Sequence, residues 1–274
     1  RAVGTQFHAS TNGLAAAQRT FEVLEQPLPR SGQTAAPVWD ALVVDGRTVA
    51  AGDRGYLAPA DLSATIAPGA VTALAGPSGS GKTTAAMALL HLQPADQGEI
   101  WIEHAGQRTA LSDVAEESWW KQASWVPQRP TFTGGTVATY LDPDGVVPTQ
   151  VREDAARSTG LLAVMESAPS GWDTPLASSE GGWTSGLSVG QSQRLELTRA
   201  LLQGSRLVVL DEPTAHLSAT DEAEVIAAMR AVADGGAAVV VVAHRPATLA
   251  AADSVVTVSS QDAIAVVESA GEIS

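Results

Sequence analysis

The sequence predicts an α/β fold with a mostly parallel sheet covered by helices, and three stretches carry that expectation. Residues 207–210 and 238–243 are short, wholly apolar runs rich in valine, the pattern of strands buried on both faces. Residues 70–75 form a third apolar run. It leads through Gly76-Pro77-Ser78-Gly79-Ser80-Gly81-Lys82-Thr83 into helix formers at 85–91, so the order is strand, glycine loop, helix. Such a loop turns its N–H groups inward around a phosphate, and the following helix points its positive end at the same spot.

The flanking elements follow in order. Residues 2–25 space Val3, Phe7, Leu14, Phe21 and Leu24 among polar residues without a proline, which predicts an amphipathic helix. Residues 27–38 carry proline, serine and glycine and read as a linker. Beyond it, 41–44, 48–50 and 60–66 read as short strands joined by Asp-Gly and Ala-Pro-Gly turns, an N-terminal antiparallel β subdomain. Strands are expected at 99–103 and 124–126, a helix and loop at 151–176, and helices at 191–203 and 221–233. The three parts are then 1–26, the linker 27–38 and a domain over 39–274, with a helical subdomain at about 129–203.

Composition narrows the functions. With a net charge of -14 the chain is a poor non-specific binder of DNA or RNA, where Lys and Arg supply most of the affinity. It has no cysteine, hence no disulfide and no thiolate metal site. Its longest apolar run, residues 237–243, is far shorter than a bilayer requires. The sequence opens without a Met or a signal-like segment and reads as a fragment of something longer.

Chemistry concentrates at a few points. Lys82 is placed to reach β- and γ-phosphates, and the Thr83 hydroxyl, followed by Thr84, to meet Mg²⁺. Asp211 and Glu212 end an apolar strand, and ligands of open α/β sheets bind outside the strand C-terminal ends, where the glycine loop also emerges. Asp211 suits the ion and Glu212 the proton of an attacking water. Leu187-Ser188-Val189-Gly190-Gln191 precedes a long helix: Ser188 is a good N-cap, and the N–H groups around Gly190 and Gln191 form a second anion site. A capped helix accounts for Ser188 but not for Gly190-Gln191. A first-turn glycine predicts a close approach to that backbone.

In order and spacing, residues 76–83, Gln128, 187–191, Asp211-Glu212 and His244 resemble the nucleotide-binding domains of ABC transporters, over nearly all of 39–274. The resemblance implies a P-loop NTPase core, ATP and Mg²⁺ as ligands, and a head-to-tail pair of domains around two ATP molecules. Gly76, Pro77, Ser78, Gly79, Ser80, Gly81, Lys82, Thr83 and Thr84 would hold one ATP; Ser188, Gly190 and Gln191 would bind the γ-phosphate of the ATP on the partner. It further implies Mg²⁺ at Thr83, Gln128 and Asp211, and catalysis by Glu212 with Gln128 and the switch histidine His244. Residues 125–137 and Glu180-Gly181-Gly182 resemble the exporter type, whose membrane domain is the other partner. Residues 7–17 and Pro213-Thr214-Ala215-His216-Leu217 look most like CydD-type subunits, which export thiol reductants for cytochrome bd assembly at the inner membrane.

Three positions depart from that pattern. Val189 stands where the family has glycine, Ser218 where it has aspartate, and no aromatic falls near 49–51 to stack on adenine, with Tyr56 the nearest substitute. The rival readings are a soluble ABC ATPase of DNA repair or translation and an ATP-holding clamp without turnover. Repair types carry long coiled coils and translation types a basic linker, and neither feature is present.

Overall fold

The computed structural model describes Phe21 and residues 32–50, 55–176 and 186–262. The chain divides into two compact units, Arg1–Ser31 and Gly32–Ser274. Apart from Phe21, the first unit and its expected helix lie outside the described residues, as does Glu180-Gly181-Gly182. Within the stretch read as linker, Thr34 bridges Val114, Ala36 N–H donates to Ser118 Oγ at 2.9 Å, and Gln122 Nε2 donates to the Ala36 and Pro37 carbonyls. Residues 34–37 are therefore folded onto the second unit.

The strands, in chain order, are β1 (Ala41–Thr48), β2 (Tyr56–Leu57), β3 (Leu62–Ile66), β4 (Val71–Ala75), β5 (Gln97–His104), β6 (Gln107–Ala110), β7 (Ala123–Val126), β8 (Leu207–Asp211), β9 (Ala238–Val242), β10 (Ser254–Thr257) and β11 (Gln261–Asp262). Two sheets dominate. An antiparallel sheet has the order β3-β1-β5-β6, and a parallel sheet the order β10-β4-β9-β8-β7. β1 differs from expectation: it runs through Asp45-Gly46, where a turn was read, and its register shifts there against β3 and against β5. With a partner on each side, an Asp-Gly pair is absorbed as a bulge and does not close a hairpin.

The valine runs explain the parallel sheet. Leu207, Val209, Val240 and Val242 face a core that contains Leu74, Trp39 and Trp119, while Val208, Leu210, Val239 and Val241 face a second core. Alternate residues thus serve opposite faces of one sheet. Each fully buried Val or Leu contributes about 1.5–3 kcal/mol, so these strands carry no charged side chain before their ends, and the buried Thr72 of β4 accepts a hydrogen bond from Ser254 Oγ at 3.2 Å.

Helices cover these faces. α1 (Lys82–Leu89) follows the glycine loop, and α2 (Glu116–Trp120) closes its far end. Trp119 Nε1 donates to the Leu89 carbonyl at 3.0 Å and Trp120 Nε1 to the Leu90 carbonyl at 2.8 Å. Two adjacent indoles thereby satisfy carbonyls that a helix end leaves unpaired. The helical subdomain comprises α3 (Val137–Leu141), α4 (Thr149–Ser158), α5 (Leu161–Ser167) and the start of α6 (Val189–Leu202), around Phe132, Leu161, Leu176 and Leu195. The helix expected over 151–165 is broken because Gly160 adopts φ 72° and its carbonyl accepts from Arg194 of α6 at 3.1 Å. α7 (Ala219–Asp234) and α8 (Pro246–Ala250) complete the second core.

β10, which the sequence reading missed, adds to the open side of β4. Its fixing point is Asp253, whose carboxylate accepts from Val71 N–H at 2.7 Å and from Arg230 at 2.8 Å. These bonds, that from Arg230 first, hold the Asp253 carboxyl below its ordinary value of 3.8. A depressed carboxylate stabilises the fold above the unfolded value and loses that contribution as pH falls through the folded one. Asp253→Ala is therefore expected to lower the thermal midpoint at neutral pH, and melting curves run at falling pH should show the gap to wild type closing below 3.8.

Candidate active site

Strand order alone gathers the chemistry. β4, β9, β8 and β7 are neighbours and run parallel, so residues leaving their C-terminal ends share one edge. From β4 comes the loop 76–81; from β9, His244; from β8, Asp211 and Glu212; from β7, Gln128.

The loop is shaped by contacts that only glycine permits at Gly81. Its φ is 93°, and a Cβ there would overlap the Ala58–Pro59 backbone. Lys82 folds back along the loop, donating from Nζ to the carbonyls of Gly76 at 2.9 Å and Pro77 at 2.8 Å. α1 begins without a side-chain cap and without an acidic residue in its first turn. The Ser80 hydroxyl is fully buried and has no partner. Carbonyls are thus engaged by Lys82, while the helix N-terminus and its N–H groups stay available to an anion. The residues fit a polyphosphate. An open cleft of about 440 Å³ runs over the loop, lined by Ser78, Gly79, Lys82, Thr83, Thr84 and Glu212, with Val49, Ala50 and Tyr56 as its far wall.

Opposite the loop stand the carboxylates. Thr83 Oγ1 lies 3.4 and 3.5 Å from the two Asp211 oxygens, at the outer limit of hydrogen bonding. Burial, and next the neighbouring Glu212 charge, push the Asp211 carboxyl up from 3.8, while Thr83 and Lys82 pull it down. Glu212 reaches two partners: Gln128 Nε2 is 3.5 Å from Oε2, and His244 Nδ1 is 3.6 Å from Oε1. Its backbone has φ 45°, held by Glu212 N–H donating to the Val242 carbonyl at 3.0 Å and by Ala215 N–H donating to the Glu212 carbonyl at 3.0 Å. A left-handed glutamate costs about 1–2 kcal/mol, and such strain collects where geometry serves chemistry. The site is a positive cradle facing a crowded pair of carboxylates, a donor set that a divalent cation between them would relieve.

Residues 60–215 match the family model described as ABC transporter. The chain belongs to the ABC transporter family. Its ATP-binding domains bind and hydrolyse ATP. The chain is 32% identical over 257 residues to the type I secretion system ATP-binding protein PrsD of Rhizobium meliloti, covering 89% of this chain and 41% of that protein. It is 32% identical over 243 residues to the glutathione/L-cysteine transport system ATP-binding/permease protein CydD of Escherichia coli, covering 84% and 38%. The chain thus spans about two fifths of the length of these relatives. A solved structure of a bacterial Atm1-family ABC exporter with ATP bound superposes with a TM-score of 0.71 at 24% identity, over 95% of this chain and 46% of that one, which shows a shared fold.

The second anion site expected from the sequence lies at the start of α6. Ser188 caps α6 in a capping box: Gln191 N–H donates to Ser188 Oγ at 3.2 Å and Ser188 N–H to Gln191 Oε1 at 2.8 Å. The cap therefore accounts for Gln191 as well as Ser188, contrary to the sequence reading. Within the chain no close approach requires glycine at 190, since a Cβ there would meet Asp221 and Leu217 at 3.4 and 3.7 Å, in ordinary contact. Buried Gln193 and half-buried Arg245 went unnoticed in the sequence. Gln193 of α6 donates from Nε2 to the carbonyls of Pro127 at 2.9 Å and Gln128 at 3.0 Å, and Arg245 binds the loop after β8. A lone Gln or Arg in a helix or loop gives no signal that its partners will be backbone carbonyls.

A raised carboxyl destabilises the fold once both states are ionised, and the penalty vanishes below the unfolded value. Asp211→Asn is accordingly expected to raise the thermal midpoint of the nucleotide-free ABC domain at neutral pH and to leave it unchanged below 3.8, which a pH series of melting curves measures.

Proposed function

We propose that this chain is the ATP-hydrolysing motor of an ABC exporter, working at the cytoplasmic face of a bacterial plasma membrane. The observation that carries the reading is the meeting of Lys82, Thr83, Gln128, Asp211, Glu212 and His244 at one strand edge. The triphosphate lies over residues 76–84, its charge matched by Lys82 and the α1 N-terminus, with adenine against Val49, Ala50 and Tyr56. Mg²⁺ on Thr83, Gln128 and Asp211 would supply neutralising charge to the phosphates. Glu212 takes the proton of the attacking water, oriented by Gln128 and His244.

Ser188, Gly190 and Gln191 serve the ATP of a facing ABC domain, so each site is complete only in the pair. Val189 and Ser218 favour a different chain over a second copy as that partner, because they weaken one composite site and a heterodimer retains the other. Coupling runs from the Gln128 region and Glu180 to a membrane domain. The finer reading is export of thiol reductants, supported by residues 213–217 and the likeness to CydD.

Phosphate release by the chain, mixed with a candidate partner domain, tests the reading. Wild type is expected to turn over, and Glu212→Gln to lose roughly 10²–10⁴-fold in rate while still binding ATP. Equal release by the two proteins would leave a clamp that holds ATP without using it.

A further inference from the structure

Arg245 follows His244 directly and is the N-cap residue of α8. Its side chain reaches back to the loop after β8 at two points and to α7 at a third. Nη1 donates to the carbonyls of Thr214 at 2.7 Å and Leu217 at 3.1 Å, and Nη2 pairs with Glu222 Oε2 at 2.7 Å. Glu222 is 6% exposed, and its other oxygen accepts from Thr248 Oγ1 at 3.2 Å. Thr248, fully buried, shares a 2.9 Å hydrogen bond with the Thr214 hydroxyl, which closes a polar ring through the loop after β8, α7 and α8. The backbone is strained just before that ring, at Glu212 with φ 45°, and inside it, at His216 with φ 65°. A strained turn persists only where its surroundings over-determine it, and Arg245 is the group that ties its two carbonyls to a buried carboxylate.

We propose that Arg245 is a positioning residue, which with Glu222 fixes the turn 213–218 and sets His244 against Glu212. The ring gives the two catalytic loops one shared anchor, so neither can shift without the other. A planar guanidinium can meet two carbonyls and a carboxylate at once, whereas an ammonium is a single point. The proposal rests on the reading of Glu212 and His244 as groups that face the substrate.

Its test uses the full chain with the partner domain. Arg245→Lys keeps a cation beside Glu222 and is expected to fold, and Glu222→Gln removes the charge from the other end of the ring. In both, affinity for a fluorescent ATP analogue should stay within about twofold of wild type while kcat falls about 10–100-fold, the scale of an ångström-level misplacement. The ring resonances of His244 should move in the nucleotide-free chain, and the Ala215 and Leu217 amides, which bond the Glu212 and Thr214 carbonyls, should exchange faster. Unchanged kcat, or losses in kcat, affinity and thermal midpoint that run in parallel, would overturn the proposal by making Arg245 a general stabiliser or a bystander. Should wild type itself release no phosphate, the motor reading fails on its own, and the His244 resonances still decide: no movement in Arg245→Lys sinks the anchor.

Discussion

A strand buried on both faces can carry charge only at its end, and that constraint orders this molecule. β8 and β9 present nine apolar side chains to two cores before Asp211 and His244 appear. Because β4, β9, β8 and β7 lie side by side and point the same way, the polar residues that leave their C-terminal ends collect along one edge. The carboxylates crowd there at a cost that the raised Asp211 carboxyl makes visible. Lys82 and the uncapped α1 N-terminus face them across the cleft. The edge is electrostatically unfinished, with anions wanted on one side and a cation on the other, which is how a nucleotide with its ion would complete it.

How much of this could be read from residues alone depended on whether a segment's own pattern outweighed its neighbours. The valine runs and the glycine loop stood out because parallel central strands are uniformly apolar and the loop's flanks are fixed by its chemistry. Asp45-Gly46 misled, since a hairpin signal becomes a bulge once β3 and β5 bind the strand from both sides. β10 was missed because Ser254-Val255-Val256-Thr257 is short, at an edge and largely exposed. The break at Gly160 depends on Arg194, more than thirty residues away, reaching its carbonyl. Of the site, the residues that bear charge at strand ends were legible; Gln193 and Arg245, whose partners are peptide groups brought close by folding, were not.

Two of the departures from the family pattern, Ser218 and Val189, differ in what they change. Ser218 caps α7, accepting from Asp221 N–H at 3.2 Å and donating to the Asp221 carboxylate at 2.8 Å. Serine and aspartate are near-equal caps, so the helix loses nothing while a carboxylate disappears from the surface. Val189 is 42% exposed at the first position of α6, where a β-branched side chain is tolerated by the helix and adds bulk above Gly190. Neither substitution is forced by the fold of this chain. Both alter only what α6 and α7 offer outward, where a facing domain rather than this one would register them.

Gln193 shows how the outward-facing helix is tied to the cleft. Its side chain is fully buried and its amide spans the Pro127 and Gln128 carbonyls, five residues along α6 from the Ser188 cap. Leaving a buried amide unpaired costs about 1–3 kcal/mol, so a movement of residues 127–128 must either carry α6 along or bear that loss. Tyr140 of α3 adds a second tie to α6: its hydroxyl donates to Glu196 at 2.5 Å and accepts from Arg199 at 2.8 Å. Burial pushes the Glu196 carboxyl up, which raises the cost of separating it from the Tyr140 donor. The segment after β7 and the helix behind Ser188 thus share two polar clasps and one apolar core, so Gln128 and α6 are held in one close-packed body.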